Sequence, residues 1–535
     1  MQARLLFELV EIGSGPSMNL EITVKNYRCF GDEIPAKLRL VRGITALIGG
    51  NNAGKSTLLR LFYEFRPLFT RLASGPETCV NLIDKGLELP PLLAVPDRTQ
   101  IFHRNNHGDL VIGIRILHPS PNGHNGNSGP DDIFIVISRK DFHCRANFYH
   151  EDQGRRPPLD DPAFLEKWRN VFESLSKTLY IGPFRGLDEL SLYGRSFDLQ
   201  MGGDFLEQVR ELQKSGKDLD RVCDEIKSLF RLKSFEIVPG KGGRTLEFLV
   251  NHAPTPIEEL GSGLAQVVFI LLHARLRRPD YIFIDEPEAH LHVSLQADFV
   301  TALSGFARIG LVFASHNLGL AKSAGERIYS VLRNPEQTFT TVTEFKPEQR
   351  LSEVLGELNF AAQQQQGCTK LLLVEGPTEI KAIRQILRKM KAENAVILLP
   401  LGGGSMITAN RDDELAEIKK ICRDVYALID SEKPSAQASV ANDRLAFGHS
   451  CQRADIGCHV LERRSFENYF SEKAVQHLYG KKYRALGAFE DVKERYPAWQ
   501  KADNWKIVRD MALEDIERTD LGRFLRHVVE APCRV

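Results

Sequence analysis

Runs of apolar residues divide the chain into strand-like and helix-like segments. Residues 20–25 alternate between apolar and polar side chains, which is typical of a strand with one buried face. The runs at 281–285, 370–374 and 425–429 are almost entirely apolar, as expected of strands that are buried on both faces. Because charged, helix-like stretches separate these strands, the pattern predicts an α/β fold with parallel sheets.

A polar tract at 361–367, AAQQQQG, is the clearest linker in the chain. It predicts one domain over 1–360 and a second domain, with a C-terminal helical cap, over 368–535. The segment Phe205–Leu232 has a helical pattern and many charges of both signs. It predicts a solvated arm or a dimer contact within a helical insertion over about 160–235.

Two strand pairs are also expected in the first domain. Segments 110–117 and 132–138 are strand-like and flank a connection rich in Gly, Asn and Ser. Segments 234–238 and 245–250 are predicted to form a hairpin around a glycine-rich loop.

The stretch Leu47–Leu58, LIGGNNAGKSTL, places the pattern G-x-x-x-x-G-K-S between a strand and a helix. In this context the loop turns its backbone N–H groups around phosphate oxygens, and the helix N-terminus adds positive charge. Lys55 is expected to reach the β- and γ-phosphates, and the Ser56 hydroxyl to bind Mg²⁺. The residues predicted to bind ATP here are Gly49, Asn51, Asn52, Gly54, Lys55, Ser56 and Thr57.

Three later motifs follow in a fixed order. Ser262 and Gly263, in LGSGLAQ, begin an apolar helix and offer an anion clamp, although a Ser-Gly pair alone would be only a helix N-cap. The buried strand YIFIDE ends in Asp285, predicted to bind Mg²⁺, and Glu286, predicted to deprotonate the attacking water. His316 follows another strand, where it would sense the γ-phosphate; a structural histidine is the alternative.

These four motifs in this order resemble an ABC-type ATPase. The VKNYRCF run before the phosphate loop resembles the ATPase heads of the DNA-repair and chromosome-structure proteins of that group. The resemblance implies that the signature of one subunit closes on ATP held by another. We therefore expect ATP and Mg²⁺ as cofactors and a homodimer or higher homo-oligomer.

A second set of acidic residues lies after the linker, at the ends of predicted strands. Glu375 ends one strand and Asp430 another, with Glu432 two residues further and Glu379 one helical turn after Glu375. Carboxylates that converge at one sheet edge repel each other unless cations neutralise them, and hard oxygen ligands suit Mg²⁺ or Mn²⁺. Ordinary acidic loop ends of an α/β domain are the alternative interpretation.

The runs VEGPTE, LGGGS, IDSE and RRSFENY resemble a TOPRIM domain, a Rossmann-like metal-dependent fold with a parallel sheet. The resemblance implies that Glu375 is an acid/base or metal ligand and that Asp430 and Glu432 are metal ligands. Glu432 departs from the usual aspartate. The third acidic position is assigned to Glu467, with Glu462 as the rival. The lysine that completes such sites is assigned to Lys506, with Lys501 as the alternative.

An ABC-type ATPase fused to TOPRIM resembles the overcoming-lysogenization-defect (OLD) family, which contains anti-phage nucleases. This implies an ATP-regulated, metal-dependent endonuclease that cuts DNA in antiviral defence. An ATP-switched scaffold with a non-cleaving TOPRIM domain and a nuclease acting on RNA or tRNA are the alternatives. A co-encoded helicase, HNH nuclease or reverse-transcriptase ribonucleoprotein could be its partner.

Composition limits the remaining possibilities. Lys and Arg together number 70, as do Asp and Glu, so the chain as a whole is not a strongly basic nucleic-acid binder. The nine cysteines form no C-x-x-C pair and are expected to be reduced thiols in a cytoplasmic protein. No apolar run reaches membrane-spanning length, and the N-terminal stretch contains Glu8 and Glu11, unlike a signal peptide.

Overall fold

The computed structural model describes residues 19–117, 132–149, 159–183, 195–200, 203–215, 217–239, 246–256, 259–333, 339–344, 370–392, 395–401 and 412–532. These residues group into two compact units. The N-terminal unit holds 19–316 and 327–344, and the C-terminal unit holds 317–326 and 370–532. The predicted linker at 361–367 and most of the LGGGS run lie outside the described residues.

The strands of the N-terminal unit are β1 Asn19–Lys25, β2 Ala36–Leu40, β3 Gly43–Ile48, β4 Leu87–Glu88, β5 Leu110–Leu117, β6 Asp132–Ile137, β7 His143–Tyr149, β8 Thr178–Ile181, β9 Arg195–Ser196, β10 Leu199–Gln200, β11 Phe235–Pro239, β12 Leu246–Val250, β13 Ala253–Thr255, β14 Tyr281–Asp285, β15 Gly310–Ser315, β16 Arg327–Arg333 and β17 Thr340–Glu344. Its helices are α1 Lys55–Glu64, α2 Arg66–Ala73, α3 Pro76–Asp84, α4 Pro162–Ser176, α5 Gly203–Ser215, α6 Lys217–Phe230, α7 Ser262–Arg277 and α8 Val293–Ser304, with a 3-10 turn at Arg98–Ile101.

The central sheet of this unit has the order β17-β16-β3-β15-β14-β8. All neighbours are parallel except β16 and β17. Strands β14 and β15 are buried along their whole length, which explains their unbroken apolar sequence. Phe62 of α1 stacks on Phe283 of β14 at 4.3 Å, so the helix after the phosphate loop is fixed to this sheet.

A second sheet, β2-β1-β5-β6-β7-β4, is antiparallel throughout. In β1 every second residue is buried, in agreement with the alternation in the sequence. The pairing of β5 with β6 and the hairpin of β11 with β12 are both confirmed. The charged segment at 205–232 is helical as predicted, and the structure divides it into α5 and α6.

The C-terminal unit contains β18 Lys370–Val374, β19 Val396–Pro400, β20 Asp424–Ile429 and β21 Gly457–Val460. Its helices are α9 Leu318–Ala324, α10 Pro377–Lys389, α11 Asp412–Ile421, α12 Asn442–Arg453, α13 Glu472–Tyr479, α14 Val492–Arg495, α15 Asn504–Asp510, α16 Leu513–Glu517 and α17 Asp520–Glu530, with 3-10 turns at Phe466–Tyr469 and Lys501–Asp503.

These four strands form one parallel sheet in the order β19-β18-β20-β21, which confirms the predicted small parallel sheet. Successive residues of β18 point to opposite faces: Leu372 belongs to one hydrophobic cluster and Leu373 to another. The first cluster includes Trp505 and Leu525 from the C-terminal helices, and the second includes Phe447 of α12. Both faces of the sheet are therefore covered.

Helix α9 belongs to the C-terminal unit although it follows the first unit's strand β15 in the chain. The ammonium group of Lys381 on α10 is 2% exposed and forms an ion pair with Glu326, which comes just after α9. Among the described residues, no helix is long and apolar enough to span a membrane.

Candidate ATP site and acidic cluster

The predicted phosphate loop joins β3 to α1, and Gly54 is the residue before the helix. The ammonium group of Lys55 donates to the carbonyl oxygens of Gly49 at 2.8 Å and Gly50 at 3.0 Å. Burial lowers the pKa of Lys55, and the carboxylates of Asp285 and Glu286 oppose that effect. The lysine thus bends back over its own loop, next to the acidic end of β14.

Both motif glycines are required by their surroundings. A Cβ atom on Gly49 would lie 2.1 Å from the carbonyl oxygen of Val331, which is backbone and cannot move aside. Gly54 has φ +109°, and a Cβ there would lie 2.8 Å from Cys29 Sγ. The side chains available to a ligand are those of Asn51, Asn52 and Ser56, which are exposed, and Thr57, which is half-buried.

Asp285 ends β14 and is only 3% exposed. Burial raises the pKa of this carboxyl, and a hydrogen bond from the Ser56 side chain acts in the opposite direction. Its Oδ1 atom is buried and has no hydrogen-bond partner among the described residues. A serine hydroxyl beside a carboxylate with an unused oxygen suits Mg²⁺, so these two predicted metal ligands lie together and fit the ion.

Glu286 and His316 lie together at the same edge of the central sheet. His316 Nδ1 is 3.9 Å from Glu286 Oε1, and the two side chains are 59% and 41% exposed. Glu286 has φ +50°, a backbone conformation that costs a non-glycine residue about 1–3 kcal/mol and is concentrated at functional sites. Both predicted groups are therefore held facing solvent, where a nucleotide could reach them.

Glu288 is a member of this cluster that the motif analysis missed. Its Oε1 atom lies 3.7 Å from His316 Nδ1 and accepts a hydrogen bond from the Ser315 hydroxyl. Burial raises the pKa of Glu288, and Oε2 is buried without a partner among the described residues. The signal for it is the second carboxylate in the PEAHLH run, two residues after Glu286.

Ser262 and Gly263 form the first turn of α7, where Ser262 is exposed. A Cβ on Gly263 would lie 2.6 Å from the His290 carbonyl oxygen, so glycine allows the turn after β14 to approach closely. The exposed helix start suits the predicted anion clamp for a nucleotide on another subunit. That role remains a prediction.

In the C-terminal unit, Glu375 follows β18 and Asp430 follows β20, the neighbouring strand. The backbone N–H of Asp430 donates to Glu375 Oε2 at 3.3 Å. Asp430 Oδ1 in turn accepts the backbone N–H of Phe466 at 3.0 Å. Parallel strands end at one sheet edge, and this is how the chain brings these two predicted ligands together.

Glu379 and Glu467 join the cluster from α10 and from the 3-10 turn at Phe466–Tyr469. Burial, and then the charge of Glu467, raise the pKa of Glu379 to about 7. Burial, and then the charges of Glu467, Glu375 and Glu379, raise the pKa of Asp430 as well. Glu467 is fully buried, and its Oε2 atom has no partner among the described residues.

The lysine at this cluster is Lys501, the alternative, rather than the predicted Lys506. Lys501 Nζ is 3.1 Å from Glu467 Oε1, which also accepts from the Asn504 side-chain amide at 2.8 Å. Burial lowers the pKa of Lys501, but Glu467 and the other carboxylates outweigh it and leave the pKa above its usual value. Lys506 instead pairs with Asp503 at 3.1 Å, because it lies on the following helix.

Glu432 stands at the margin of the cluster. Its side chain is 42% exposed and lies 3.8 Å from Arg464, and its backbone has φ +53°. Its charge contributes to raising the pKa of Glu375, after the larger effect of burial, so the two carboxylates are neighbours. The rival Glu462 is exposed and lies 3.9 Å from Arg523.

Arg444 of α12 is a second member that the motif analysis missed. Its Nη2 atom donates to Glu375 Oε1 at 2.9 Å, and the residue is 5% exposed. Its Nε atom is buried without a hydrogen-bond partner among the described residues. Burial raises the pKa of Glu375, and Arg444 provides the largest opposing effect.

Among the described residues, no three His, Cys, Asp or Glu side chains are placed to hold one metal ion together. The donor set nevertheless suits a hard divalent cation in its chemistry, because it consists of carboxylates and includes the unused oxygen of Glu467. In this arrangement Arg444 and Lys501 supply the positive charge that such an ion would bring.

Comparison with known proteins gives one family match. A family described as "AAA domain, putative AbiEii toxin, Type IV TA system" matches residues 124–322, less than half of the chain. The matched region contains the signature, the β14 carboxylates and His316, but not the phosphate loop. No curated protein matches significantly.

Solved structures similar to this chain include three SMC head domains. An SMC head bound to the C-terminal winged-helix domain of ScpA has 12% identity and TM-score 0.39, over 62% of this chain and 98% of that one. The SMC head domain from Thermotoga maritima has 12% identity and TM-score 0.35, over 61% and 99%. A Pyrococcus furiosus Smc head with an extended coiled coil has 11% identity and TM-score 0.34, over 64% and 98%. At these TM-scores the likeness carries no argument.

The family match and the glycine-rich loop before α1 together support an ATPase domain in the N-terminal unit. ATP binding agrees with such a domain, and Mg²⁺ generally accompanies ATPases.

Proposed function

We propose that the protein is an ATP-regulated, divalent-metal-dependent endonuclease of the OLD type, in which the C-terminal unit is a TOPRIM nuclease domain. The observation that carries this proposal is the gathering of Glu375, Glu379, Asp430 and Glu467 at one edge of a parallel sheet, with Lys501 among them. A purely structural sheet has no need to bury Glu379, Asp430 and Glu467 beside the half-buried Glu375, because each buried carboxylate costs desolvation energy.

The donor chemistry favours phosphodiester cleavage over other uses of an acidic pocket. A bound divalent ion would supply charge stabilisation at a phosphate and a more acidic water. Glu375, Asp430 and Glu467 would hold that ion, with Glu379 and Glu432 beside them. Lys501, already within 3.1 Å of Glu467, would be close enough to stabilise the charge on a phosphate.

In the N-terminal unit, Glu286 is proposed to activate the water that attacks ATP, and His316 to contact the γ-phosphate. Both side chains are exposed, which agrees with a site completed by the Ser262–Gly263 helix start of a second subunit. We propose that closure of this ATP dimer regulates cutting by the C-terminal unit. An anti-phage role is part of the proposal because of the resemblance to the OLD family; the family matched over 124–322 is described as a putative toxin of a type IV toxin–antitoxin system.

The test is cleavage of supercoiled plasmid DNA, and in parallel of structured RNA, with Mg²⁺ or Mn²⁺ and with and without ATP. Wild type is compared with Asp430→Asn and with Asp412→Asn, a control that removes a surface carboxylate paired with Arg453 at 2.8 Å. Cutting is expected to fall roughly 10³-fold in Asp430→Asn and to be unchanged in the control. Equal residual cutting by all three proteins would overturn the proposal. If the wild type cleaves the structured RNA in preference to the plasmid, the substrate of the proposed nuclease is RNA rather than DNA.

One observation favours a second candidate function, an ATP-switched scaffold that does not cut. Arg444 and Lys501 already bring positive charge to the cluster, and no metal-ligating trio exists among the described residues. A scaffold would bind no divalent ion at Glu375 and Asp430. Calorimetric titration with Mn²⁺ separates the two, because a nuclease must lose C-terminal binding in Asp430→Asn, whereas a scaffold has none to lose.

A further inference from the structure

Helix α12 places three side chains on its buried face. Arg444, Phe447 and Cys451 follow each other at intervals of three and four residues, and they are 5%, 1% and 0% exposed. Arg444 binds Glu375 of the acidic cluster, and Cys451 lies two turns further along the same face. A chemical modification of Cys451 would therefore change the same helix that presents Arg444 to Glu375.

The chain reverses sharply after this helix and returns as β21. The backbone N–H of Ile456 donates to the carbonyl oxygen of Cys451 at 2.9 Å, and Asp455 has φ +54°. This helix end directs Cys458 back alongside the last turn of α12. In the sheet, Cys458 pairs with Ala427 of β20, the strand that ends at Asp430.

The two cysteines are consequently neighbours in space. Their thiols hydrogen-bond to each other, and both pack in the hydrophobic cluster that contains Phe447. Both are free thiols, Cys451 fully buried and Cys458 half-buried. The hydrogen bond from Cys451 lowers the pKa of Cys458, which favours its reactive thiolate form.

We propose that Cys451 and Cys458 form an oxidisable thiol pair that closes to a disulfide in the presence of a peroxide. The Cys458 thiolate attacks one peroxide oxygen, so that an S–O bond forms, the O–O bond breaks and one water leaves after protonation. Cys451 then attacks the sulfenic sulfur, an S–S bond forms, and the S–O bond breaks with loss of a second water. Hydrogen peroxide is reduced to two waters, and two thiols are oxidised to one disulfide.

The place of the disulfide in the fold suggests how it would affect the acidic cluster. A disulfide would tie the end of α12 to β21 and restrict the helix that carries Arg444. The regulatory part of the inference rests on the proposed nuclease function, since it holds that the oxidised enzyme keeps Arg444 on Glu375 and so cuts more slowly. The modification itself does not depend on that function.

The experiment uses the full chain, oxidised with hydrogen peroxide, blocked with N-ethylmaleimide and digested with trypsin without reduction. Arg453 separates the two cysteines, so the disulfide must join peptide 445–453 to peptide 454–463. The expected product is this linked pair, lighter by two hydrogen atoms than the sum of its parts, and dithiothreitol should remove it. Cys422, a buried thiol near the same sheet, is the internal control and should stay reduced.

Two results would overturn the modification. One is full N-ethylmaleimide labelling of both peptides after peroxide, and the other is further oxidation of Cys458 without the link. The first would mean that the thiols only fill space in the core. The second would mean that peroxide reaches Cys458 but Cys451 does not resolve the sulfenic acid. Because wild-type protein is mapped, the result does not depend on whether a variant folds.

Plasmid nicking supplies the regulatory readout. Oxidised wild type is expected to cut at least about five-fold more slowly than reduced wild type, while Cys458→Ser should not respond to peroxide. Equal rates for oxidised and reduced wild type, with the link present, would overturn the regulatory part. Absence of cutting in both states would count against the proposed nuclease, and the peptide map would still decide the modification.

Discussion

The two acidic clusters of this chain differ in how far they open to solvent. In the N-terminal unit Asp285 is buried, but Glu286 and His316 beside it are 41% and 59% exposed. In the C-terminal unit, Glu467 is fully buried and Asp430 nearly so, and Arg444 and Lys501 lie against the carboxylates. The first cluster is open to groups from outside the unit, such as ATP and a second subunit. The second cluster already contains its own counter-charges, Arg444 and Lys501.

This difference has a physical cause. Exposed carboxylates cost little, so an open site can wait for ATP and a second subunit. Buried carboxylates repel each other in a low-dielectric environment, and the fold must neutralise them by cations or protons. Burial, and then the charge of Glu467, raise the pKa of Glu379 to about 7, and the opposing effect of Lys501 does not cancel them. The remaining negative charge is what would attract a divalent ion.

The largest expected effect is at the open site. Glu286→Gln should lower ATP turnover roughly 10²–10⁴-fold while ATP binding persists, because the amide cannot accept a proton from water. Phosphate release measures turnover, and size-exclusion chromatography with ATP should show a trapped dimer. Glu344→Gln, a similarly exposed glutamate on β17, is the matched control. Unchanged turnover in Glu286→Gln would remove this residue from the mechanism.

Lys55→Ala tests the same site through binding. The ammonium group rests on the Gly49 and Gly50 carbonyls and is free to exchange them for phosphate oxygens. Loss of a charged hydrogen bond of about 2–3 kcal/mol predicts roughly 100-fold weaker ATP binding. A fluorescent-nucleotide titration measures this effect, with the exposed Lys37→Ala as the control. Equal affinities for the two variants would contradict the predicted phosphate loop.

The phosphate loop was predictable because its residues are contiguous and each has a local role. A glycine that must avoid Val331 and a lysine after it occur at a fixed spacing. The meeting of Glu375 and Asp430 was predictable for a different reason. Parallel strands end at one edge, so a strand pattern alone brings their terminal residues together.

Lys501 and Arg444 show where such reasoning stops. The choice between Lys501 and Lys506 depends on a single 3-10 turn, Lys501–Asp503, whose direction no local pattern reveals. Arg444 lies on a helix with several polar residues, and only the packing of α12 against the sheet shows that this one is buried. Both cations are placed by tertiary contacts, whereas the carboxylates they meet are placed by strand ends.

The buried cluster predicts a stabilising substitution. The pKa of Glu379 is about 7 in the folded state and near 4.5 when unfolded, so the folded state keeps a proton that the unfolded state releases between these values. The free energy of unfolding is therefore not reduced by Glu379 below pH 4.5, and it falls as the pH rises from 4.5 to 7. With metal removed by EDTA, Glu379→Gln should stabilise the C-terminal unit by about 3 kcal/mol at pH 8 and little at pH 4.5.

Urea unfolding is followed by tryptophan fluorescence in a Trp168→Phe background, so that the signal comes from Trp499 and Trp505 of this unit. Gln385→Glu, a change at a buried position on the same helix, should destabilise instead, since it adds a charge where Glu379→Gln removes one. A stability of Glu379→Gln equal to wild type at both pH values would show that the cluster is neutralised by its own cations.

The smallest expected change in stability is at Asp520, a carboxylate whose pKa is lowered rather than raised. Asp520 accepts from His459 at 3.0 Å, from the Glu462 N–H at 3.0 Å and from the Tyr469 hydroxyl at 2.8 Å. Burial raises the pKa of Asp520, but these bonds outweigh it and hold the pKa at about 2. This stability is present above pH 3.8 and lost as the pH falls towards 2. Asp520→Asn should therefore cost about 1–2 kcal/mol at pH 7 and roughly half as much at pH 3.

The control for this prediction is Asp510→Asn, which breaks an ion pair with the exposed His477 and should cost less than about 0.5 kcal/mol. The same tryptophan signal serves both variants. A cost for Asp520→Asn that is independent of pH would assign the residue to neutral packing, since a lost ionic contribution must fade as the wild-type carboxylate takes up its proton. Asp520→Asn and Glu379→Gln together test what decides the charge of a buried carboxylate in this unit: burial alone, or the hydrogen-bond donors around it.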